Sequence, residues 1–367
     1  MNFSCTQQNI SKALNTVSRF TGGKTTTLPI LNNILLTTDN GRLKLSATNL
    51  EIGINTWIGA KVEAEGSYTL PSKLFIDFVS TNNDSTINIK LKDNSVLLES
   101  PRYKASIKGI ISSEFPLIPL VKDQKPFFVN SSNLKRAISE TIFASAIDET
   151  RPVLGGIYLI VKENKLILVA TDSYRLAEKT ISLNKNYDKE ISVIVPTRIL
   201  NELARIMEDD QEVGILVGDS QIQFSFGEIE IISRLIEGNY PDYKQIIPKS
   251  FGTTVEINNS ELKNAIKMAS YFVRDGANNI RIKTAKDNFI ISSYSAETGD
   301  SVSTIPCKIE GDDIEITFNA KYILDELNIV QTEFIEFKFN DKLNPGLIIP
   351  KGEKDYLYII MPLRIEE

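Results

Sequence analysis

Histidine is absent from this 367-residue sequence. Its absence removes the commonest general base, the Ser-His triads and most zinc chemistry, and leaves carboxylate or lysine catalysis open. Cysteine is nearly as scarce. Cys5 and Cys307 stand far apart in strand-like patterns, which suits reduced core thiols better than a disulfide framework or a metal site. No run of about eighteen apolar residues occurs. The start, MNFSCTQQNISKAL, lacks the basic, apolar and small-residue order of a secretory leader, so a cytoplasmic protein is expected. With 14 Pro and 19 Gly the chain is neither linker nor fibre, and 42% hydrophobic with 24% charged residues is ordinary globular composition. Positive charge is also short: 41 Lys and Arg against 47 Asp and Glu give a net charge of -6. Any contact with nucleic acid therefore requires the basic residues to gather on one surface.

The length exceeds what one core usually organises, and internal repetition shows how it is divided. A strand followed by an amphipathic helix spans Phe3 to Phe20, with Ile10, Ala13, Leu14 and Val17 at helical spacing. The pattern returns at NLKRAISETI, with Leu134, Ala137 and Ile138, and at ELKNAIKMAS, with Leu262, Ala265 and Ile266. A second unit recurs at 68–79, 193–206 and 316–330, where Pro71, Pro196 and Asn319 mark the same place as breaker or cap before a helix. Alternating strands follow each helix, as in RLKLSA at 42–47, SVLLES at 95–100, KLILVA at 165–170 and QIQFSF at 221–226. Turn signals such as Asp39-Asn40-Gly41 and Lys92-Asp93-Asn94 separate them. The fold class is therefore α+β, with six strand-helix-strands units paired into three domains at 1–122, 123–250 and 251–367. The Pro-rich joints are Phe115–Pro119 and Tyr240–Pro248. Each domain is stable if its two helices pack on one face of its sheet.

The helices predicted at 7–20, 72–80, 131–145, 197–207, 259–271 and 320–328 hold ten basic and six acidic residues, an excess of positive charge in a chain that is acidic overall. Lys12, Arg19, Lys73, Lys135 and Arg136, then Arg198, Arg205, Lys263, Lys267 and Lys321, fall largely off the apolar stripes. Any single one reads as a solvated residue. Together they suit non-specific phosphate contact, since no Asn, Gln or Arg reading cluster and no aromatic interleaving accompanies them.

Three local motifs are weighed. Gly22-Gly23-Lys24-Thr25 resembles the end of a phosphate-binding P-loop, but Ser18 stands where its first glycine belongs. A basic loop with Lys24 at its tip fits better. Thr171-Asp172-Ser173-Tyr174 before Arg175-Leu176 offers one acid and no partner base, so it reads as a turn exposing apolar and Arg side chains. The run Tyr358–Ile365 is an apolar strand that must be paired or line a groove.

Taken together, Leu28-Pro29-Ile30-Leu31, Ala47-Thr48-Asn49-Leu50-Glu51, Ala170–Leu176, Tyr240-Pro241-Asp242-Tyr243 and Met361-Pro362-Leu363-Arg364 resemble, in order and spacing, the bacterial DNA polymerase III beta subunit family, the sliding clamps. The resemblance covers the whole length. It implies the DNA-clamp fold: a head-to-tail homodimer whose six domains form a ring around double-stranded DNA, helices inside and β-sheet outside. It also implies processivity without catalysis, no cofactor or metal, and docking of the replicative polymerase, clamp loader and repair polymerases through short peptides.

By the same resemblance, Arg102, Lys104 and Ile107 meet Tyr271, Phe272, Glu297 and Asp300 of the other subunit, with the bulky Tyr271-Phe272 pair opposite the small Ala105. The peptide groove takes Arg151 and Leu154 from one segment and Thr171, Ser173, Tyr174, Arg175 and Leu176 from the next. Pro241 and Ile246 add a further wall, and Ile360, Met361, Pro362, Leu363 and Arg364 close it. DNA contacts come from Lys24, Arg198 and the inner helices. Two rivals remain at this point: a carboxylate-dependent enzyme acting on DNA or phosphoryl groups, and a sequence-specific DNA-binding repeat protein. The first needs metal-ligand or nucleotide motifs that are not seen.

Overall fold

A computed structural model describes residues 1–22, 27–122, 124–148, 150–273 and 278–363. Lys24 and Arg364 lie outside the described residues. Six α-helices occur among those described: α1 Gln7–Val17, α2 Ser72–Thr81, α3 Ser131–Thr141, α4 Thr197–Ile206, α5 Asn259–Val273 and α6 Ala320–Leu327. Each begins within a residue of its expected start. Thr6 caps α1 by accepting from the amide of Asn9 at 3.3 Å, and Asn319 caps α6 by accepting from the amide of Lys321 at 2.9 Å. The 3.6-residue period decides which face is buried: Ile10, Ala13, Leu14 and Val17 on α1, and Leu262, Ala265, Ile266, Ala269 and Val273 on α5. α6 departs from the rule, because Glu326 shares its buried stripe with Ala320, Ile323 and Leu327.

The strands form antiparallel sheets of five, eight, nine and four members. Turn chemistry sets their register: Asn40 and Gly41 both take positive φ (49° and 76°) between strands Asn33–Asp39 and Arg42–Thr48, the geometry of a tight hairpin. Glu163 and Asn164 do the same between Gly156–Lys162 and Lys165–Thr171.

The chain groups into two compact units, Met1–Ser132 with Arg205–Leu235, and Asn133–Ala204 with Ile236–Glu367. Sheet pairing is the reason this differs from a threefold cut. In the first unit, strand Ile229–Arg234 pairs with Ile52–Gly59 along Glu230↔Asn55 and Ile231↔Ile54. In the second, Arg175–Ser182 pairs with Tyr356–Ile360 along Arg175↔Ile360 and Ala177↔Tyr358. The middle of the sequence is thus welded on one side to the residues before it and on the other to those after it. Two of the three unit boundaries fall inside α3 and α4, and the third follows strand Ile229–Arg234.

The first unit packs Phe3, Ile10, Leu14, Phe75 and Val79 with Ile54, Leu70 and Ile89, all essentially inaccessible. In the second, Phe337 lies 4.3 Å from Phe339, 5.8 Å from Phe318 and 6.2 Å from Phe289, measured between ring centroids. Cys5 is buried in strand Asn2–Thr6, and burial pushes its thiol up to about 12. Cys307 departs from the core expectation: it is half-buried in the break between Gly299–Pro306 and Lys308–Glu310, its thiol raised to about 11 by burial and Asp287.

Removing Phe337 takes out the centre of the aromatic cluster and leaves a void that closed sheets cannot collapse. Phe337→Ala is expected to destabilise the protein by about 3–5 kcal/mol, read as a lowered denaturant midpoint.

Candidate functional site

The candidate residues fall into three groups. On the helices, Lys12, Lys73, Arg198, Arg205, Lys267 and Lys321 are exposed off the apolar stripes, and Lys135 and Lys263 are half-buried. Lys12 lies 2.5 Å from Glu208, a solvent-exposed pair that water and salt weaken. Arg136 corrects the expectation of an open cation: its guanidinium is 2.7 Å from Glu140 and also bonds Glu353, so its charge is already matched within the chain.

The second group is built on the turn Thr171–Arg175. The Thr171 hydroxyl donates to the Arg175 carbonyl (2.6 Å) and accepts from the Ser173 amide (3.1 Å), while the Asp172 carboxylate accepts from the amides of Tyr174 and Arg175. These bonds hold Ser173 at φ 78° and push Tyr174 outward, 58% exposed. The turn does not expose Arg175, as its sequence suggested. Arg175 is 6% exposed, paired with Asp172 (2.9 Å) and Asp325 (2.6 Å), bonded to the Phe143 carbonyl and stacked 4.6 Å over the Tyr322 ring. Charged neighbours more than offset its burial and raise its pKa further.

Around this post the groove residues sort by depth. Leu154, Thr171, Leu176 and Ile360 are buried and form a floor. Arg151, Ser173, Tyr174, Pro241 and Ile246 are exposed, and Met361, Pro362 and Leu363 are half-buried. Arg151 donates to the Ser173 hydroxyl at 2.9 Å. The Met361 amide donates to the Tyr174 carbonyl (2.9 Å) and that of Leu363 to the Thr317 carbonyl (2.8 Å), which ties the final segment to both sides. Beneath lies an apolar cluster of Val169, Leu176, Tyr243, Leu347 and Ile359. Tyr243 is 5% exposed, and burial, with the neighbouring Glu178 carboxylate, raises its pKa. Sequence reasoning missed Tyr322, whose ring stacks 6.4 Å from that of Tyr174, and Asp325, the second carboxylate on Arg175. No local signal marks either, because their partners lie about 150 residues away.

The third group is a pair of sheet edges, one in each unit. Strand Lys104–Lys108 ends the five-stranded sheet and Gly299–Pro306 ends the four-stranded one. Arg102 and Lys104 are exposed, with Arg102 held 2.7 Å from Asp84 and Lys104 bonded to Glu99. Ile107 corrects its expected role: its side chain is 4% exposed within its own sheet, so the edge offers its backbone and the half-buried Ala105 instead. On the other edge Tyr271, Glu297 and Asp300 are exposed and Phe272 is half-buried. Tyr294, 75% exposed, and Val302, 65% exposed, add apolar surface that the sequence did not single out.

The carboxylate pair on Arg175 gives a test of this geometry. Asp325→Ala leaves the guanidinium with one carboxylate and is expected to cost about 2 kcal/mol in a denaturation curve, with Tyr174 fluorescence or exchange changing alongside.

Residues 1–119, 128–242 and 244–364 match, in turn, the family models of the N-terminal, central and C-terminal domains of the DNA polymerase III beta subunit. The beta sliding clamp of Staphylococcus aureus is 32% identical over 351 residues, covering 92% of this chain and 93% of its own. Among solved structures, the DNA polymerase sliding clamp of Bacillus subtilis superposes with a TM-score of 0.96 at 27% identity, and the DNA polymerase III subunit beta of Pseudomonas aeruginosa with 0.96 at 28%, each over the full length of both chains. With all three domain models matched in order and a relative of this identity along nine-tenths of its length, the chain belongs to the DNA polymerase III beta subunit family of sliding clamps.

Proposed function

We infer that the protein is a sliding clamp: two copies close head to tail around duplex DNA, tether the replicative polymerase to it and perform no chemistry of their own. The observation that carries the reading is the family membership together with the pattern of sheet edges. Strand pairing makes continuous sheets of eight and nine members, while the five- and four-stranded sheets end at Lys104–Lys108 and Gly299–Pro306. Joining those two edges between subunits makes a nine-stranded sheet and leaves neither backbone row unpaired. Ala105 on one edge and Tyr271 and Phe272 on the other supply small-against-large packing, and Arg102 and Lys104 lie opposite Glu297 and Asp300 in charge.

The three-domain division at 1–122, 123–250 and 251–367 is part of this proposal, supported by the threefold recurrence of strand-helix-strands units. So is DNA contact through Lys12, Lys73, Lys135, Arg198, Arg205, Lys263, Lys267 and Lys321. Lys73, Arg198 and Lys321 hold one repeat position and Lys135 and Lys263 another, the eight residues lie on six helices, and enclosure requires only weak, non-specific attraction to phosphate. Arg151, Ser173, Tyr174, Pro241, Ile246, Met361, Pro362 and Leu363 would form the walls of a peptide groove over the floor of Leu154, Leu176 and Ile360. Apolar pockets with a few polar anchors suit an extended peptide carrying Leu or Phe. No helix among the described residues is long and apolar enough to cross a membrane. A role in DNA replication supports a cytoplasmic location.

Retention on DNA tests enclosure. The loaded protein is expected to stay on closed circular DNA and to be lost within minutes of linearisation, whereas equal retention on both forms indicates an affinity binder. For the groove, Met361→Ala with Leu363→Ala is expected to weaken partner-peptide binding at least tenfold by fluorescence anisotropy. Sedimentation should show the dimer intact; unchanged peptide affinity removes the assignment.

A further inference from the structure

The seam between strands Arg175–Ser182 and Tyr356–Ile360 has an ionic interior. Lys179 is 2% exposed, and its ammonium lies 2.9 Å from Glu140, 3.2 Å from Glu353 and 3.2 Å from Asp355. Arg136 bonds Glu140 and Glu353 from α3. Glu326 of α6 is wholly buried; one of its oxygens accepts from the Tyr356 hydroxyl at 2.5 Å and the other has no partner.

Glu326 bonds Tyr356 and feels the charges of Glu140 and Glu353, and the charged and titratable groups of this seam come from five elements. α3 gives Arg136 and Glu140, strand Arg175–Ser182 gives Arg175 and Lys179, and the turn before the last strand gives Glu353 and Asp355. The last strand gives Tyr356 and Tyr358, and α6 itself gives Tyr322 and Asp325. Arg175 is matched by Asp172 and Asp325. The remaining cations, Arg136 and Lys179, face Glu140, Glu353 and Asp355, so ionised Glu326 would add a fourth carboxylate at the least solvated point. Burial and the charges of Glu140 and Glu353 lift Glu326 to about 8, against the Tyr356 hydrogen bond, which favours the ionised form.

The internal repeat supplies a control. At the seam between Ile52–Gly59 and Ile229–Arg234, the positions of Glu140, Lys179, Glu353 and Tyr356 are taken by Thr16, Thr56, Phe226 and Ile229, and Leu203 stands in the sequence place of Glu326. The strand pairing is the same, and these positions carry no charge.

We propose that the seam between Arg175–Ser182 and Tyr356–Ile360 is a proton-responsive joint, kept closed by neutral Glu326 beneath the Lys179 cluster and loosened when that carboxyl gives up its proton. The seam at Ile52–Gly59 does not respond. Because Tyr174 and Met361 directly adjoin the responsive strands, opening them separates segments read above as groove walls.

The sign follows from proton binding. Closed, Glu326 keeps its proton up to about pH 8; opened to water, it ionises near the ordinary value of 4.5. The closed form therefore holds the extra proton between these values. Its advantage is complete below the lower one, falls as pH rises through the window and levels off above the upper one.

Hydrogen exchange of the full-length protein at pH 6, 7, 8 and 9, expressed as protection corrected for intrinsic exchange, tests this. Amides of 175–182 and 356–360 are expected to lose up to about tenfold in protection per pH unit between 6 and 8 and then level off, while those of 52–59 and 229–234 stay constant. Glu326→Gln, which has no proton to lose, is expected to flatten the first pair. Equal slopes at both seams, or an unaltered slope in Glu326→Gln, overturn the proposal. If that variant does not fold, Tyr356→Phe decides: losing the hydroxyl should move the midpoint upward, and an unmoved or lowered midpoint removes Glu326 as the group responsible.

Discussion

Backbone hydrogen bonding between strands that lie far apart in sequence is the constraint on which the rest of this structure depends. Ile229–Arg234 reaches back to Ile52–Gly59, and Tyr356–Ile360 reaches back to Arg175–Ser182. Each pairing satisfies a row of amide and carbonyl groups that would otherwise form an open sheet edge. It also positions the functional surfaces. The Met361 amide meets the Tyr174 carbonyl only because the last strand is in register with Arg175. Lys104–Lys108 and Gly299–Pro306 stay at the ends of their sheets, among the edges that no strand of the chain covers.

What the sequence reveals is what repeats locally. The helix at Gln7–Val17 is legible because Ile10, Ala13, Leu14 and Val17 recur at helical spacing, and α3 and α5 because the same frame returns. Hairpins are legible where Asn40-Gly41 supplies positive φ. What it hides is decided across distance. Arg175 looks like a surface arginine in a polar turn, and nothing nearby announces Asp325, which together with Asp172 draws it inside. Arg136 lies off the apolar stripe of α3 as a free cation would, yet Glu353 is waiting for it. Ile107 reads as one of an exposed group until the pleat of its strand turns it inward. The threefold repeat is visible in sequence, but the grouping of its middle third with both neighbours follows from strand pairing, which has no local signature.

The two seams show how side chains divide the labour of one backbone design. At the first, the Thr48 hydroxyl donates to the Ile52 carbonyl and accepts from the Leu50 amide, Asn49 accepts from the amides of Glu51 and Ile52, and Leu50 sits at φ 78°. The turn Thr171–Arg175 repeats every one of these bonds, with Ser173 at φ 78°. Beyond each turn an amide from the returning strand closes the corner, Arg234 onto Glu51 and Met361 onto Tyr174, both at 2.9 Å.

The seams differ in what lies on them. Gly53 stands in the repeat position of Leu176, and the room it leaves is taken by Ile118, whose methyl group would lie 2.6 Å from a Cβ placed on that glycine. The segment that delivers Ile118, Phe115–Pro119, is shorter than its counterpart Tyr240–Pro248, which has space for the turn Tyr243–Ile246. At the first seam the chain therefore fills its own hollow. At the second, Leu176 becomes a floor, Tyr243 packs beside it, and Ile246 and Tyr174 stand exposed at the rim. Because the backbone bonds are the same, the difference between a seam filled by Ile118 and one with Leu176 as its floor and an exposed rim comes down to a glycine for a leucine and a longer loop.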